Sequence, residues 1–367
     1  MTKAAELAKM GEVLTNSQIG GRRNIIINGA MQVAQRSTSV TGIGASSGYF
    51  TLDRWYLAIE NTAGRLTMTQ TADGPVGFAN CMKLDCTTAD TSIAAGELLV
   101  LQQQIEGQNV QAIGKGVTGA KQITLSFYVK ANAAFTFNAE VQDYDNGRTN
   151  GKAFATTTDW VRHEITFEAD ADDGSSPFDD DNAKSFSVNF WLHGGSTYTG
   201  GTLASGWENR TDANRADGIS SFFSSTDNNF FITGVQLEVG SQATPFEHAS
   251  SFGEQLALCQ RYFQVYGANS TYVPVANGIS ISATQARIFL VYRQPMRATP
   301  AIGSVTSLIL TDRATYDLTV TGIAISGASD LGMTMTVTNN TGATYLRSAF
   351  LSGLNSGTPK FDIDAEL

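Results

Sequence analysis

Ser185-Phe-Ser-Val-Asn-Phe-Trp-Leu-His193 decides the fold. Phe186, Val188, Phe190 and Leu192 fall on one side of a period-two pattern, and Ser187, Asn189, Trp191 and His193 on the other. That alternation marks a strand with one face in a core. The pattern recurs on either side. Ile123, Leu125, Phe127 and Val129 alternate with Thr124, Ser126, Tyr128 and Lys130. Phe135, Phe137, Ala139 and Val141 make another apolar face, as do Val161, His163, Ile165 and Phe167. Phe231, Thr233, Val235, Leu237 and Val239 close the set. Such segments, separated by Gly, Asn, Asp and Ser turns, predict an all-β, antiparallel jelly-roll-like β-sandwich over residues 21–248. Helical periodicity is nearly absent there, which argues against a parallel α/β sheet.

Beyond the sandwich the pattern changes. Ser251-Phe-Gly-Glu254 has the form of a capping box, so a connecting α-helix is expected from Glu254 to Tyr266, with Gly267 as its left-handed stop. The segment 249–267 is read as a connector. Strand alternation returns in Ile288, Leu290 and Tyr292 and in Met333, Met335 and Val337, which predicts a smaller C-terminal β-domain over 268–367. At the other end, Leu7, Met10, Val13 and Leu14 line a short N-terminal helix. Such a seam is too short to be stable alone, so residues 1–20 are expected to dock on a larger assembly.

The 367 residues correspond to two or three domains at roughly 150 residues each. A hydrophobic content of 42% supports real cores, while 16% charged residues lies well below the usual quarter. With 36 Gly and only 7 Pro, this reads as a turn-rich β-protein surfaced by Ser, Thr, Asn and Gln. Thirty-four acidic against 24 basic residues disfavours nucleic acid as a partner, because phosphate binding needs Lys and Arg. It also disfavours anionic lipid surfaces. No apolar run reaches the length of about 18 residues needed to span a bilayer, so no membrane insertion is expected. The opening residues, with Glu6 and Lys9, do not read as a signal peptide, and synthesis in a cytoplasm is expected. Cys81, Cys86 and Cys259 form no disulfide framework and read as small buried thiols.

Candidate chemistry is sparse. Gly44-Ala-Ser46-Ser-Gly48 matches a nucleophile elbow, and His193-Gly-Gly-Ser196 resembles an oxyanion loop. The elbow needs a strand–turn–helix context, and no helix is expected after Ser46. Gly114-Lys-Gly-Val-Thr-Gly119 opens into a strand, not into a helix that could hold phosphate. The acidic loop from Asp170 to Asn182 is dense in oxygen ligands suited to calcium, but its spacing fits no EF-hand. It reads as a solvated loop. The expectation is therefore a protein that is not an enzyme and that has no cofactor and no metal. The aromatic residues carry more. Trp191 shares the polar side of its strand with Asn189 and His193, and Tyr198 and Trp207 follow in a glycine-rich loop. An aromatic ring flanked by amide and imidazole groups suits a sugar, whose C–H face stacks while its hydroxyls are hydrogen-bonded. Asn189, Trp191, His193, Tyr198 and Trp207 are thus candidate glycan contacts. The competing reading puts Trp191 under a neighbouring loop or a subunit interface.

The opening Met1–Ser17, the stretch Gly21-Arg-Arg-Asn-Ile-Ile-Ile-Asn-Gly-Ala-Met-Gln-Val-Ala-Gln-Arg36 and Phe50-Thr-Leu-Asp-Arg-Trp-Tyr56 resemble structural proteins of marine and cyanobacterial tailed phages. Ile232-Thr-Gly-Val-Gln-Leu-Glu-Val-Gly240 is similar to the last strand of their carbohydrate-binding-module-like sandwich. Thr244-Pro-Phe-Glu-His248, Leu256-Ala-Leu-Cys-Gln-Arg-Tyr-Phe263, Pro295-Met-Arg-Ala-Thr-Pro300 and Asp364-Ala-Glu-Leu367 also fit. The resemblance implies a virion location, as a tail fibre or receptor-binding protein. It implies a homo-oligomer, usually a trimer, host surface polysaccharide as ligand, and other virion proteins as partners. A capsid-decorating (head fibre) or tail-structural role is the alternative, and a polysaccharide depolymerase is the third. Leu7, Met10, Val13 and Leu14 are then the expected virion-anchoring or oligomerisation contacts.

Overall fold

The computed structural model describes Lys3 and residues 22–171, 176–267, 272–354 and 359–367. Leu7, Met10, Val13 and Leu14 lie outside the described residues, as do Asp172 and Asp173 of the acidic loop. The chain divides into two compact units, Met1–Gln255 with Leu367, and Leu256–Glu366.

The first unit contains thirteen described strands. These are β1 Ser39–Ile43, β2 Gly48–Tyr49, β3 Tyr56–Glu60, β4 Arg65–Thr71, β5 Cys81–Thr88, β6 Leu98–Glu106 and β7 Ile123–Ala131. They continue as β8 Thr136–Asp143, β9 Arg148–Ala155, β10 Val161–Phe167, β11 Lys184–Gly194, β12 Glu208–Asn209 and β13 Asn229–Val239. One sheet runs β1-β4-β5-β13-β7-β10 and the other β12-β9-β8-β11-β6-β3-β2. Every neighbouring pair is antiparallel. The two sheets share one core. Leu125, Phe127 and Val129 of β7 and Leu66, Met68 and Leu84 of the same sheet join Phe137, Val141, Phe186, Val188, Phe190 and Leu192 of the other. This is the antiparallel jelly-roll-like sandwich read from the alternation. Cys81 and Cys86 are buried in it, and burial pushes their thiols up to about 12 and about 11.

The first half of the β13 face is inverted relative to the expectation. Phe230 and Ile232, not Phe231 and Thr233, enter the core, followed by Val235 and Leu237. The register of β13 against β7 shifts between Thr233 and Gln236, and Gly234 sits there at φ +62°. A bulge adds one residue, and with a side-chain period of two that exchanges the faces on either side of it. Phe231 is left among Lys83, Lys130 and Trp160.

The second unit holds β14 Phe263–Tyr266, β15 Pro274–Ser280, β16 Gln285–Val291, β17 Ala301–Thr306 and β18 Leu308–Thr311. β19 Asp317–Ala328, β20 Gly332–Asn339, β21 Ser348–Gly353 and β22 Lys360–Asp364 complete it. Strands β15-β16-β20-β19-β18-β21 close into a barrel, and β14-β22-β17 form a small sheet. Ile288, Leu290, Leu310, Met333, Met335, Val337 and Leu351 share a core with Phe361 and Ile363.

The helix after the sandwich is shorter than expected. It spans Phe252–Gln260, and Phe263–Tyr266 is a strand paired with Lys360–Asp364. Half of the capping box forms as read, the Glu254 N–H donating to Ser251 Oγ at 3.1 Å, while the Glu254 carboxylate accepts from the Ser250 N–H at 2.9 Å, one residue before the expected partner. The C-terminal half fails because Phe-Gln-Val-Tyr is a β-former, and β22, nearly a hundred residues on, supplies its ladder.

Candidate functional site

The polar side of β11 lies on the outer face of the seven-stranded sheet, and strand register extends it sideways. Asn189 is opposite Gln102 of β6 and Glu140 of β8. Gln102 is opposite Tyr56 of β3, Tyr56 is opposite Tyr49 of β2, and Glu140 is opposite Gly151 of β9. One row therefore runs Tyr49, Tyr56, Gln102, Asn189, Glu140, Gly151. The next row carries Gln104, Ser187 and Gln142. In the other direction lie Ala58, Val100, Trp191 and Asn138.

The centre is a closed polar network. Arg215 donates from Nε to Glu140 Oε2 at 2.9 Å and from Nη2 to Glu140 Oε1 and Gln142 Oε1, both at 2.8 Å. Asn189 Nδ2 donates to Glu140 Oε1 at 2.7 Å, and Ser187 Oγ donates to Asn189 Oδ1 at 2.9 Å. Arg215 is buried; desolvation works against its charge, but Glu140 outweighs it and holds the guanidinium above its usual range. Glu140 is therefore committed to Arg215 and Asn189.

Trp191 does not face solvent. It is 1% exposed, lies beneath Arg215 at 4.8 Å from the guanidinium carbon, and meets the Tyr198 ring at 5.2 Å. Leu98, Val100 and Ala216 complete its surroundings. Asn189 and His193 are also fully buried. Of the five expected glycan contacts, these three are covered, because the segment carrying the short helix Ser196–Thr199 and residues 212–216 folds back over the strand. Trp207 packs against the main core and donates Nε1–H to Glu168 O at 2.8 Å. Tyr198 stays half-buried. His193 bridges Ser221 Oγ at 2.8 Å from Nδ1 and Glu97 Oε2 at 3.1 Å from Nε2. Desolvation pulls its pKa below the ordinary value, with Glu97 opposing.

Two amides, not singled out in the sequence, have capacity to spare. Gln102 and Gln104 are 8% and 5% exposed, and their one side-chain contact is a long one of 3.4 Å from Gln104 Nε2 to Gln102 Oε1. Gln104 Oε1 is buried without a partner, which costs about 1–3 kcal/mol if left unpaired. Beside them the Tyr49 and Tyr56 rings meet edge to face at 5.0 Å. Beyond them Lys184 Nζ stands 3.9 Å from the centre of the Tyr144 ring, and burial lowers its pKa. The signal for this strip was the run Leu98-Leu-Val-Leu-Gln-Gln-Gln104, in which Leu98, Val100, Gln102 and Gln104 share a face.

The remaining sequence candidates disperse. Ser46 is exposed in the bend between β1 and β2, and a strand follows it. Asp170 is held by Arg148 at 2.9 and 3.1 Å, and Lys115 lies 2.6 Å from Asp143 and 3.5 Å from Asp170. Among the described residues no cluster of three His, Cys, Asp or Glu side chains is placed to hold a metal ion.

No family model and no curated protein matches the chain. Among solved structures it is similar to the enzymatically active domain of tailspike protein 4 from bacteriophage CBA120. That match has 13% identity and a TM-score of 0.30, and covers 59% of this chain but only 21% of the tailspike. It is similar to TmCBM61 in complex with β-1,4-galactotriose, with 11% identity, 59% and 99% coverage and a TM-score of 0.31. It is also similar to the CBM22-1 xylan-binding domain of Paenibacillus barcinonensis Xyn10C, with 11% identity, 61% and 100% coverage and a TM-score of 0.28. At such identities the likeness concerns the fold alone.

Proposed function

We propose that this protein is a virion structural protein, a tail fibre or receptor-binding protein, that binds host surface glycan through the outer face of its seven-stranded sheet. One observation carries the reading: Gln102 and Gln104 share only one long contact of 3.4 Å, Gln104 Oε1 has no partner, and the Tyr49–Tyr56 pair lies beside them. Planar amides match sugar hydroxyls, and tyrosine rings accept the apolar face of a pyranose. The engagement of Glu140 by Arg215 and Asn189 supports binding over cleavage at this face. The sequence resemblance supplies the virion context. Residues 1–20, through Leu7, Met10, Val13 and Leu14, anchor the chain to other virion proteins as a homotrimer.

The test is retention on an array of bacterial surface polysaccharides, with the Gln102→Ala/Gln104→Ala variant beside the wild type. The double variant should lose binding at least about tenfold, a change of about 1.4 kcal/mol, while its unfolding midpoint holds. Equal retention would remove this face as the contact, and no retention by the wild type would remove glycan binding. A chain lacking residues 2–20 should fold and still fail to enter particles.

A capsid-decorating or tail-structural role has one observation in its favour. Phe289, Val291 and Leu331 of the second unit are 54%, 80% and 60% exposed, as on a surface that meets another protein. A depolymerase would release reducing sugar from the same polysaccharides.

A further inference from the structure

The barrel of the second unit has a cleft of about 450 Å³, lined by Tyr272, Thr311, Arg313, Tyr316 and Asp317 among others. Its walls are fixed from behind. Asp312 accepts the N–H groups of Ala314 at 2.9 Å, Thr315 at 2.7 Å and Tyr316 at 3.1 Å, together with the Thr315 hydroxyl. Arg347 Nε lies 2.7 Å from its carboxylate. The turn that presents Arg313, Tyr316 and Asp317 is therefore preorganised, so a ligand would meet groups already in place.

Two wall residues hold a left-handed backbone although neither is glycine: Tyr272 at φ +57° and Arg313 at φ +61°. That conformation costs roughly 1–2 kcal/mol per residue, and such strain concentrates where side chains are held for use. The two are tied together, since Arg313 Nη2 donates to Tyr272 O and to Ser352 Oγ, both at 2.9 Å. Tyr316 meets Ser280 Oγ through its hydroxyl at 3.1 Å.

What remains unpartnered defines the ligand. Arg313 Nε and Nη1, the Asp317 carboxylate and the Tyr272 hydroxyl have no side-chain or backbone partner among the described residues, and Tyr272 is 41% exposed. Arg313 and Asp317 form no ion pair with each other. The cleft thus offers donors, a double acceptor and an aromatic ring, with no net charge from the Arg–Asp pair. An anion would meet Asp317 and a cation would meet Arg313. A neutral polyhydroxyl ring satisfies both, because each hydroxyl can donate to a carboxylate while its oxygen accepts from a guanidinium.

We infer that this cleft is a second saccharide site, specific for a neutral hexose unit and independent of the strip on the first unit. Two sites on one chain would raise avidity for a repeating polymer without new contacts at either.

The test uses the full chain carrying Gln102→Ala/Gln104→Ala, so that the first site does not contribute. Methyl glucoside, galactoside and mannoside are titrated in turn, with methyl glucuronide as the anionic control, while the backbone amide signals of Thr315, Tyr316 and Asp317 are followed by NMR. At least one neutral glycoside should shift these signals with millimolar affinity, and the glucuronide should bind more weakly. Asp317→Asn should weaken the response at least about tenfold. Tyr272→Gly should also lose it without lowering the melting temperature, because glycine relieves the left-handed strain as it removes the ring. Three outcomes would each overturn the site: no shift at these amides with any neutral glycoside, tighter binding of the glucuronide, or an undiminished response in the folded Asp317→Asn and Tyr272→Gly variants. None of them touches the first unit, whose own double variant is read separately on the polysaccharide array.

Discussion

Arg215 closes on Glu140 with two hydrogen bonds of 2.9 and 2.8 Å, and the same guanidinium stands 4.8 Å from the Trp191 ring. This side chain is one of several links between loop and sheet; Asn138 Nδ2 also donates to Arg215 O. The charge pair is almost wholly buried, so each partner depends on the other to compensate its desolvation. Arg215→Ala is therefore expected to destabilise the first unit by about 3–5 kcal/mol in denaturant unfolding, since it strands the Glu140 carboxylate. Adding Glu140→Gln should recover part of that loss. Additive losses in the double variant would show that the pair does not couple.

Trp191 separates a packing role from a binding role. Its indole Nε1 has no partner, so Trp191→Phe removes no hydrogen bond. Trp191→Ala should cost about 3–5 kcal/mol, and Trp191→Phe clearly less. Glycan retention per folded molecule should be unchanged in the Phe variant. A loss of retention at unchanged stability would return Trp191 to the ligand.

His193 sets a pH dependence. Its folded pKa lies below the ordinary 6.5, chiefly through desolvation. As pH falls through about 6.5 the unfolded chain takes up the proton first, so the native state loses stability until its own, lower pKa is passed. Stability of the first unit should be complete above neutrality and fall as the solution is acidified from there. Urea midpoints measured between neutral and mildly acidic pH report this, and His193→Gln should flatten the profile. The half-buried His163, whose pKa is also lowered by desolvation, should leave a residual slope of the same sign. An unchanged profile in His193→Gln would mean that the imidazole is not the titrating group.

Gly234 holds the bulge of β13. A Cβ there would lie 2.7 Å from the Phe78 ring and 2.9 Å from the Tyr128 ring, at a φ of +62°. Gly234→Ala should cost at least about 1–2 kcal/mol from the backbone alone, read as a lower unfolding midpoint. A neutral substitution would show that the bulge tolerates a side chain.

The strands were legible because burial of one face writes a period of two into any sequence. Lys184–Gly194 and Ile123–Ala131 could be placed from their own residues. The phase of β13 before Gly234 could not, because Gly234 inserts an extra residue without disturbing the apolar composition around it, while Val235 and Leu237 beyond it face the core as read. The end of the helix was misread for a similar reason. Phe263–Tyr266 suits a helical stripe as well as a strand, and its partner lies almost a hundred residues away.

The candidate site shows the same division. The sequence alone determined which side of β11 is polar and that aromatic and amide groups gather there, since alternation is a local property. Only the tertiary structure decided that Arg215, 75 residues from Glu140, folds over Trp191 and closes that part of the face. It also decided that the amides with hydrogen-bonding capacity to spare are Gln102 and Gln104, and strand register puts Gln102 opposite Tyr56. Long-range pairing between oppositely charged or hydrogen-bonding groups leaves no periodic trace along the chain, so exposure is settled by the fold.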